Sequence, residues 1–93
     1  MMTELTTIFI QTDRSLTQPS PDNLILLHLD SGEYYALDEV GARVWGLCDG
    51  TRPIYQIVNT ICDEYDAPAD VIQNDVCELL ADLSRAKLVI KAN

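Results

Sequence analysis

The fold class predicted is α+β: a three-stranded antiparallel sheet followed by a three-helix bundle, in an order close to a winged helix-turn-helix. Three observations predict it. Two short strand-like runs, residues 24–29 and 33–37, flank Asp30-Ser31-Gly32, which has the composition of a tight turn. From residue 38 to residue 86 apolar side chains recur at helical spacing, interrupted at Gly50 and at Asp66-Ala67-Pro68. Between them, Glu33-Tyr34-Tyr35-Ala36-Leu37-Asp38-Glu39-Val40-Gly41-Ala42-Arg43-Val44-Trp45 passes from an aromatic strand into a helix without a loop.

Taken in order, Thr7-Ile8-Phe9-Ile10-Gln11-Thr12 is β-branched and aromatic and is predicted as the first strand of the sheet. Residues 13–23 are polar, contain Pro19 and Pro21, and are predicted as a loop. Leu24-Ile25-Leu26-Leu27-His28-Leu29 is apolar on both faces for most of its length, which places it centrally. Gly32 supplies the positive φ of the turn, and residues 33–37 return as the third strand, antiparallel to the second.

Asp38 is predicted to cap the first helix, with Val40, Val44, Trp45 and Leu47 as its apolar stripe and Gly50 as its end. Thr51 is predicted to cap the second helix, with Pro53 in the first turn and Ile54, Ile57, Val58 and Ile61 buried. The third helix runs over residues 69–86. Leu88-Val89-Ile90 forms a short wing strand or a packed tail. At 100° per residue, Ile72, Val76, Leu79 and Leu83 fall on one line of the third helix, with Leu80 beside it, and that line is predicted as core. One flank holds Val71, Asp75, Glu78 and Asp82; the other holds Gln73, Cys77, Ser84 and Lys87. The acid is therefore one-sided.

Ninety-three residues suffice for one domain spanning the chain, 1–93, with a modest core. A 47% apolar and 23% charged composition is that of a folded protein. The formal charge of −9 repels phosphate backbones and anionic lipid and favours basic partners, or simply solubility. Cys48, Cys62 and Cys77 form an odd set without a C-x-x-C pair, far from the one histidine, His28, so they are predicted as buried free thiols of a reducing compartment, with no metal. Residues 1–11 lack the basic start and apolar run of a signal peptide, and no run has the length of a membrane helix, so a cytoplasmic location is expected.

Catalysis finds no support. A nucleophile needs a base within hydrogen-bond reach, and His28 sits in the middle of an apolar strand. Gly32, Gly41, Gly46 and Gly50 are isolated, so there is no phosphate-cradling loop and no cofactor is expected. The helical order suits a DNA-binding regulator, but the six Lys and Arg residues are too few and the third helix carries acid where phosphates would lie. Peptide capture remains. A sheet edge offers unpaired N–H and C=O groups to a partner strand, while flanking side chains select its sequence.

The run Tyr34-Tyr35-Ala36-Leu37-Asp38-Glu39-Val40-Gly41-Ala42-Arg43-Val44-Trp45, with Asp49-Gly50-Thr51, Asp75-Val76 and the Leu79-Leu80-Leu83 helix, closely resembles the PqqD-like family, the precursor-peptide recognition elements of ribosomally made, post-translationally modified peptides. It looks most like the freestanding members of lasso-peptide biosynthesis. The similarity covers residues 24–90 and departs at Asp38, where the family pattern often has Asn. The resemblance implies that the leader of a precursor peptide adds as a strand to Glu33, Tyr34, Tyr35, Ala36 and Leu37, beside Val71, Asp75, Glu78, Leu79 and Asp82 of the third helix. It implies a non-catalytic protein, a monomer or weak dimer, that holds the precursor for a leader peptidase, a cyclase or another modifying enzyme. The alternatives are a PqqD-like peptide chaperone for a radical modifying enzyme and, in another class, a winged-helix DNA-binding regulator.

Overall fold

The turn at Asp30-Ser31-Gly32 closes a hairpin: Gly32 adopts φ +75, its N–H donates to the His28 carbonyl (2.9 Å), and His28 N–H donates to Glu33 O (2.8 Å). The structure, a computed structural model, describes residues 4–93. Its elements are β1 (Ile8–Gln11), β2 (Ser15–Pro19), β3 (Leu24–His28), β4 (Tyr34–Leu37), α1 (Glu39–Leu47), β5 (Asp49–Pro53), α2 (Ile54–Tyr65), α3 (Ala69–Arg85) and β6 (Val89–Lys91). The α+β class, with a three-stranded antiparallel sheet and three α-helices, is as expected. The membership of that sheet is not.

The sheet carrying the hairpin has the order β2-β3-β4, with β3 central. The strand beside β3 is Ser15–Pro19, drawn from the stretch predicted as a loop. Its proline is compatible with pairing because Pro19 is the last residue of an edge strand, where a missing N–H costs the ladder little. The predicted first strand, β1, leaves this sheet and forms a second one of order β5-β1-β6, antiparallel throughout. The tail at residues 88–90 accordingly resolves into a strand, β6, whose Ile90 pairs with Ile10.

The second sheet displaces two predicted helix boundaries. Gly50 does not end α1; Cys48 does, its N–H donating to Trp45 O. Gly50 lies inside β5 at φ +86, beside an irregularity in the β1 register, where a Cβ would stand 3.1 Å from Ile10 Cδ1. Thr51 does not cap α2. It bonds Asp49 instead, its N–H (3.0 Å) and hydroxyl (2.6 Å) both donating to Asp49 Oδ1. Pro53 takes the cap position without a side-chain bond. The first free amides of α2 are satisfied from far away, Ile54 N–H by Thr7 O (3.0 Å) and Tyr55 N–H by Leu5 O (3.0 Å). The capping chemistry of α2 thus belongs to the N-terminal segment.

Asp38 does cap α1, accepting Gly41 N–H at 2.8 Å, and Asp66, at φ 49, ends α2 where the breaker residues stand. The core joins Leu26 and Leu37 of the first sheet, Val44 and Trp45 of α1, Ile54, Ile57 and Ile61 of α2, and Ile72, Val76, Leu80 and Leu83 of α3. Leu80 rather than Leu79 completes the buried line of α3; Leu79 is only half-buried. His28 is buried, with Nδ1 accepting Asp30 N–H (3.1 Å), so its imidazole pins the turn.

The three thiols are free, but only Cys48 is buried; Cys62 and Cys77 are half-buried, contrary to expectation. The Cys48 thiol donates to Val44 O (3.4 Å), and burial pushes its pKa from the ordinary 9.0 up to about 12. A raised thiol pKa favours the folded state below pH 9 and loses that contribution as pH climbs from 9 towards 12. Iodoacetamide at pH 8 is therefore expected to spare Cys48 in the native protein and to modify it after denaturation, read by peptide mass spectrometry. Equal labelling in both states would contradict the packing described here.

Candidate functional site

Among the described residues, strand β4 pairs only with β3, which leaves its other edge free. The bond from His28 N–H to Glu33 O marks that pair as hydrogen-bonded. Antiparallel pairing alternates, so Leu26–Tyr35 and Leu24–Leu37 are the next bonded pairs. Tyr34 and Ala36 then direct both N–H and C=O outward. The edge presents four backbone groups in line.

Beside this edge runs a groove of about 430 Å³ between the end of β4, the first turns of α1 and the outer side of α3. Its floor is apolar: Leu37, Val40, Val44, Ile72, Val76 and Leu79, with Ala36 at the rim. Asn23, Asp38 and Asp75 add polar groups. Asp38 is committed to the helix cap. Gly41 lets strand and helix close together, since a Cβ there would stand 3.2 Å from Asp38 Oδ1 and 3.3 Å from Leu37 Cβ.

Of the residues predicted for a binding site, the groove gathers Ala36, Leu37, Asp75 and Leu79. Glu33 precedes β4 and serves the turn through its carbonyl. Tyr34 is 70% exposed on the outer face of the sheet, whereas Tyr35 packs inward against the core. Val71 and Glu78 are exposed beside the groove without lining it. Asp82 pairs with Arg85 (3.1 Å) one turn further along α3. The groove also uses Asn23, Asp38, Val40, Gly41, Val44, Ile72 and Val76, which residue-type reasoning left as caps, loop or core. The available signal was that the stripe of α1 and the line of α3 each hold more apolar positions than one interface requires.

Each arginine faces a carboxylate elsewhere: Arg14–Asp30 (2.9 Å), Arg43–Glu64 (2.7 Å), Arg85–Asp82 (3.1 Å) and Arg52–Asp49. The Arg43 guanidinium, hydrogen-bonded in a fork, holds Glu64 below the usual carboxylate range. Asp75 has no such partner among the described residues, so the groove wall is net acidic. Among the described residues no three His, Cys, Asp or Glu side chains gather as a metal site, and no helix is long and apolar enough to cross a membrane.

Residues 23–89 match the family model described as "Coenzyme PQQ synthesis protein D (PqqD)". The chain is 42% identical over 53 residues to the "PqqA binding protein" of Xanthomonas oryzae pv. oryzae (strain PXO99A), covering 57% of this chain and 58% of that protein. It is 38% identical over the same length to the "PqqA binding protein" of Xanthomonas campestris pv. campestris (strain 8004). The matched region thus spans 58% of these curated relatives' length. Among solved structures, "TbiB1 in Complex with the TbiA(beta) Leader Peptide" is similar at a TM-score of 0.74 and 31% identity, over 86% of this chain and 93% of that one. "Lasso peptide synthetase B1 complexed with the leader peptide" shares the fold at a TM-score of 0.75 and 17% identity, over 88% and 96%.

Proposed function

The chain belongs to the PqqD family, and from that premise we propose that it binds the leader region of a ribosomally synthesised precursor peptide by strand addition to β4. The observation that carries this reading is the free edge of β4, whose Ala36 and Leu37 border an apolar groove. A peptide strand there makes up to four backbone hydrogen bonds, each worth about 0.5–1.5 kcal/mol net. Ordering the peptide offsets much of that gain. Its alternate side chains, lowered onto Val40, Val44, Ile72, Val76 and Leu79, supply the remainder. The protein performs no chemistry; it holds the leader while a leader peptidase or cyclase of a lasso-type system acts on the rest of the precursor.

Titration of fluorescently labelled leader peptide tests the proposal, with saturation expected below roughly tens of micromolar. A flat titration at that concentration would sink it. The unpaired Asp75 carboxylate adds a second expectation. Asp75→Lys weakens a leader that carries a cation at this position by about 5–10-fold at low salt, consistent with about 1 kcal/mol for an exposed pair, and changes a neutral leader by less than about twofold. Asp82, held by Arg85, is not expected to matter. Equal affinity of wild type and Asp75→Lys for the basic leader would reduce the acidic wall to a solvated surface.

The similarity to PqqA-binding proteins favours a second reading, in which the enzyme served is a peptide-modifying radical enzyme rather than a peptidase. Reconstitution with each class of enzyme separates the two.

A further inference from the structure

The groove beside β4 does not stop where the strand stops. Past Leu37 it opens into a second cleft of about 290 Å³, and Asn23 and Asp38 line both. Pro19, Pro21 and Leu24 give this cleft apolar walls, and Asp22, Asp38 and Glu39 give it carboxylates. Among the described residues, no Lys or Arg lines either concavity. The arginines are engaged with Asp30, Glu64, Asp49 and Asp82, so Asp22 and Glu39, like Asp75, have no ion-pair partner among the described residues. Ser20 N–H (2.8 Å) and Oγ (3.1 Å) both donate to Asn23 O, which closes the 20–23 loop and fixes the rim. The cleft is thus preformed, and preorganisation lowers the cost of ordering a guest.

We propose that this cleft takes the part of the leader that precedes the added strand, and that it selects leaders carrying Lys or Arg there. The inference rests on the strand-addition reading above and extends it by naming the chemistry of the substrate. Every strand pairing of the described residues is antiparallel, and antiparallel pairing is the more stable per residue. Strand β4 runs from Tyr34 to Leu37, so a guest added antiparallel to it has its N-terminal end beside Leu37. Residues before that end leave the sheet over Asn23 and Asp38 and meet the second cleft. There a cation passes Asp38, Asp22 and Glu39 with no competing positive side chain. The partial positive charge of the α1 N-terminus opposes a cation, and Asp38 and Glu39 at that end offset it. Asp38 is committed to the cap, which leaves Asp22 and Glu39 to meet the guest. A chain with a net charge of −9 attracts any basic peptide at long range. What sets this cleft apart is its position, in series with the groove and on the line of the guest strand. Its acid therefore reads one end of the leader rather than the leader's total charge.

The test uses the full chain and synthetic peptides that share the strand segment of its leader. One carries a serine tail before that segment, one a lysine tail before it, and one the same lysine tail after it. At low salt the N-terminal lysine tail is expected to tighten binding at least about fivefold over serine, and the C-terminal tail less than about twofold. At about 1 M salt, where the screening length is about 3 Å, the gain should vanish. In Asp22→Asn/Glu39→Gln, both at exposed positions, the lysine and serine peptides should bind within about twofold of each other. Binding of the serine-tailed peptide by that variant shows that it is folded. Equal gain from either end, or no gain from the N-terminal lysines in the wild type, overturns the proposal. So does a gain in the variant as large as in the wild type. Failure of the serine-tailed peptide to bind the wild type counts against the strand-addition reading instead, a separate readout of the same experiment.

Discussion

Ala36→Pro is expected to weaken leader binding at least about tenfold while leaving the protein folded. The Ala36 N–H points away from β3, so the ladder of the sheet loses no bond; proline is tolerated in an edge strand when its nitrogen faces outward. The incoming peptide, by contrast, loses one donor and leaves one of its carbonyls unsatisfied. A lost bond of about 0.5–1.5 kcal/mol together with a stranded acceptor at about 1–3 kcal/mol amounts to roughly 1.5–4.5 kcal/mol, and each 1.4 kcal/mol is tenfold in affinity. The matched control is Tyr35→Pro, one residue earlier, whose N–H faces Leu26 within the sheet; that change is expected to unfold the hairpin. Fluorescence titration and thermal melts of both variants check the pair. Undiminished affinity in Ala36→Pro would show that the peptide does not add to this strand.

Leu80→Ala is expected to have the largest effect on stability. Leu80 is fully buried on α3, in the core that unites the first sheet with all three helices. Removing a buried leucine side chain costs about 2–5 kcal/mol, the spread reflecting how far the surroundings collapse. For a domain of this size 1 kcal/mol moves the melting midpoint by about 4–8 °C, so a fall of roughly 8–40 °C is expected in calorimetry. Binding of the leader only to the folded form restores about 2.7 kcal/mol at a hundredfold excess over Kd, so the variant should be partly rescued by peptide. A midpoint shift of a degree or two would mean that α3 is not anchored through this side chain.

What could be read directly from the residues was whatever is decided within a few positions. The 30–32 turn, the Asp38 cap and the breakers at 66–68 act on their own neighbours, and each stands where residue type places it. The second sheet did not announce itself because β5 is Asp49-Gly50-Thr51-Arg52-Pro53, a strand with almost no strand-forming residues. It exists because β1 lies beside it and because Leu5 and Thr7 carbonyls take the first amides of α2. Those partners are some fifty residues away, beyond any local rule. At the groove, the Ala36–Leu37 edge and Asp75 and Leu79 of α3 were legible, while Ile72 and Val76 of α3 and the floor contributed by Val40 and Val44 were not. An apolar residue on a helix looks the same whether its neighbour is core or a guest.

Strand β1 has a consequence for how this chain can be joined to others. It pairs with β6, and Asn93 ties the two ends together, its Oδ1 accepting Ile8 N–H (3.1 Å) and its Nδ2 donating to Thr6 O (3.2 Å). Any sequence fused before or after the described residues thus departs from one sheet, and that sheet is not the one with the open edge. A short linker could close this gap into a circle and new termini could be cut at the Asp30-Ser31-Gly32 turn, giving a permuted protein with the reading edge at its start.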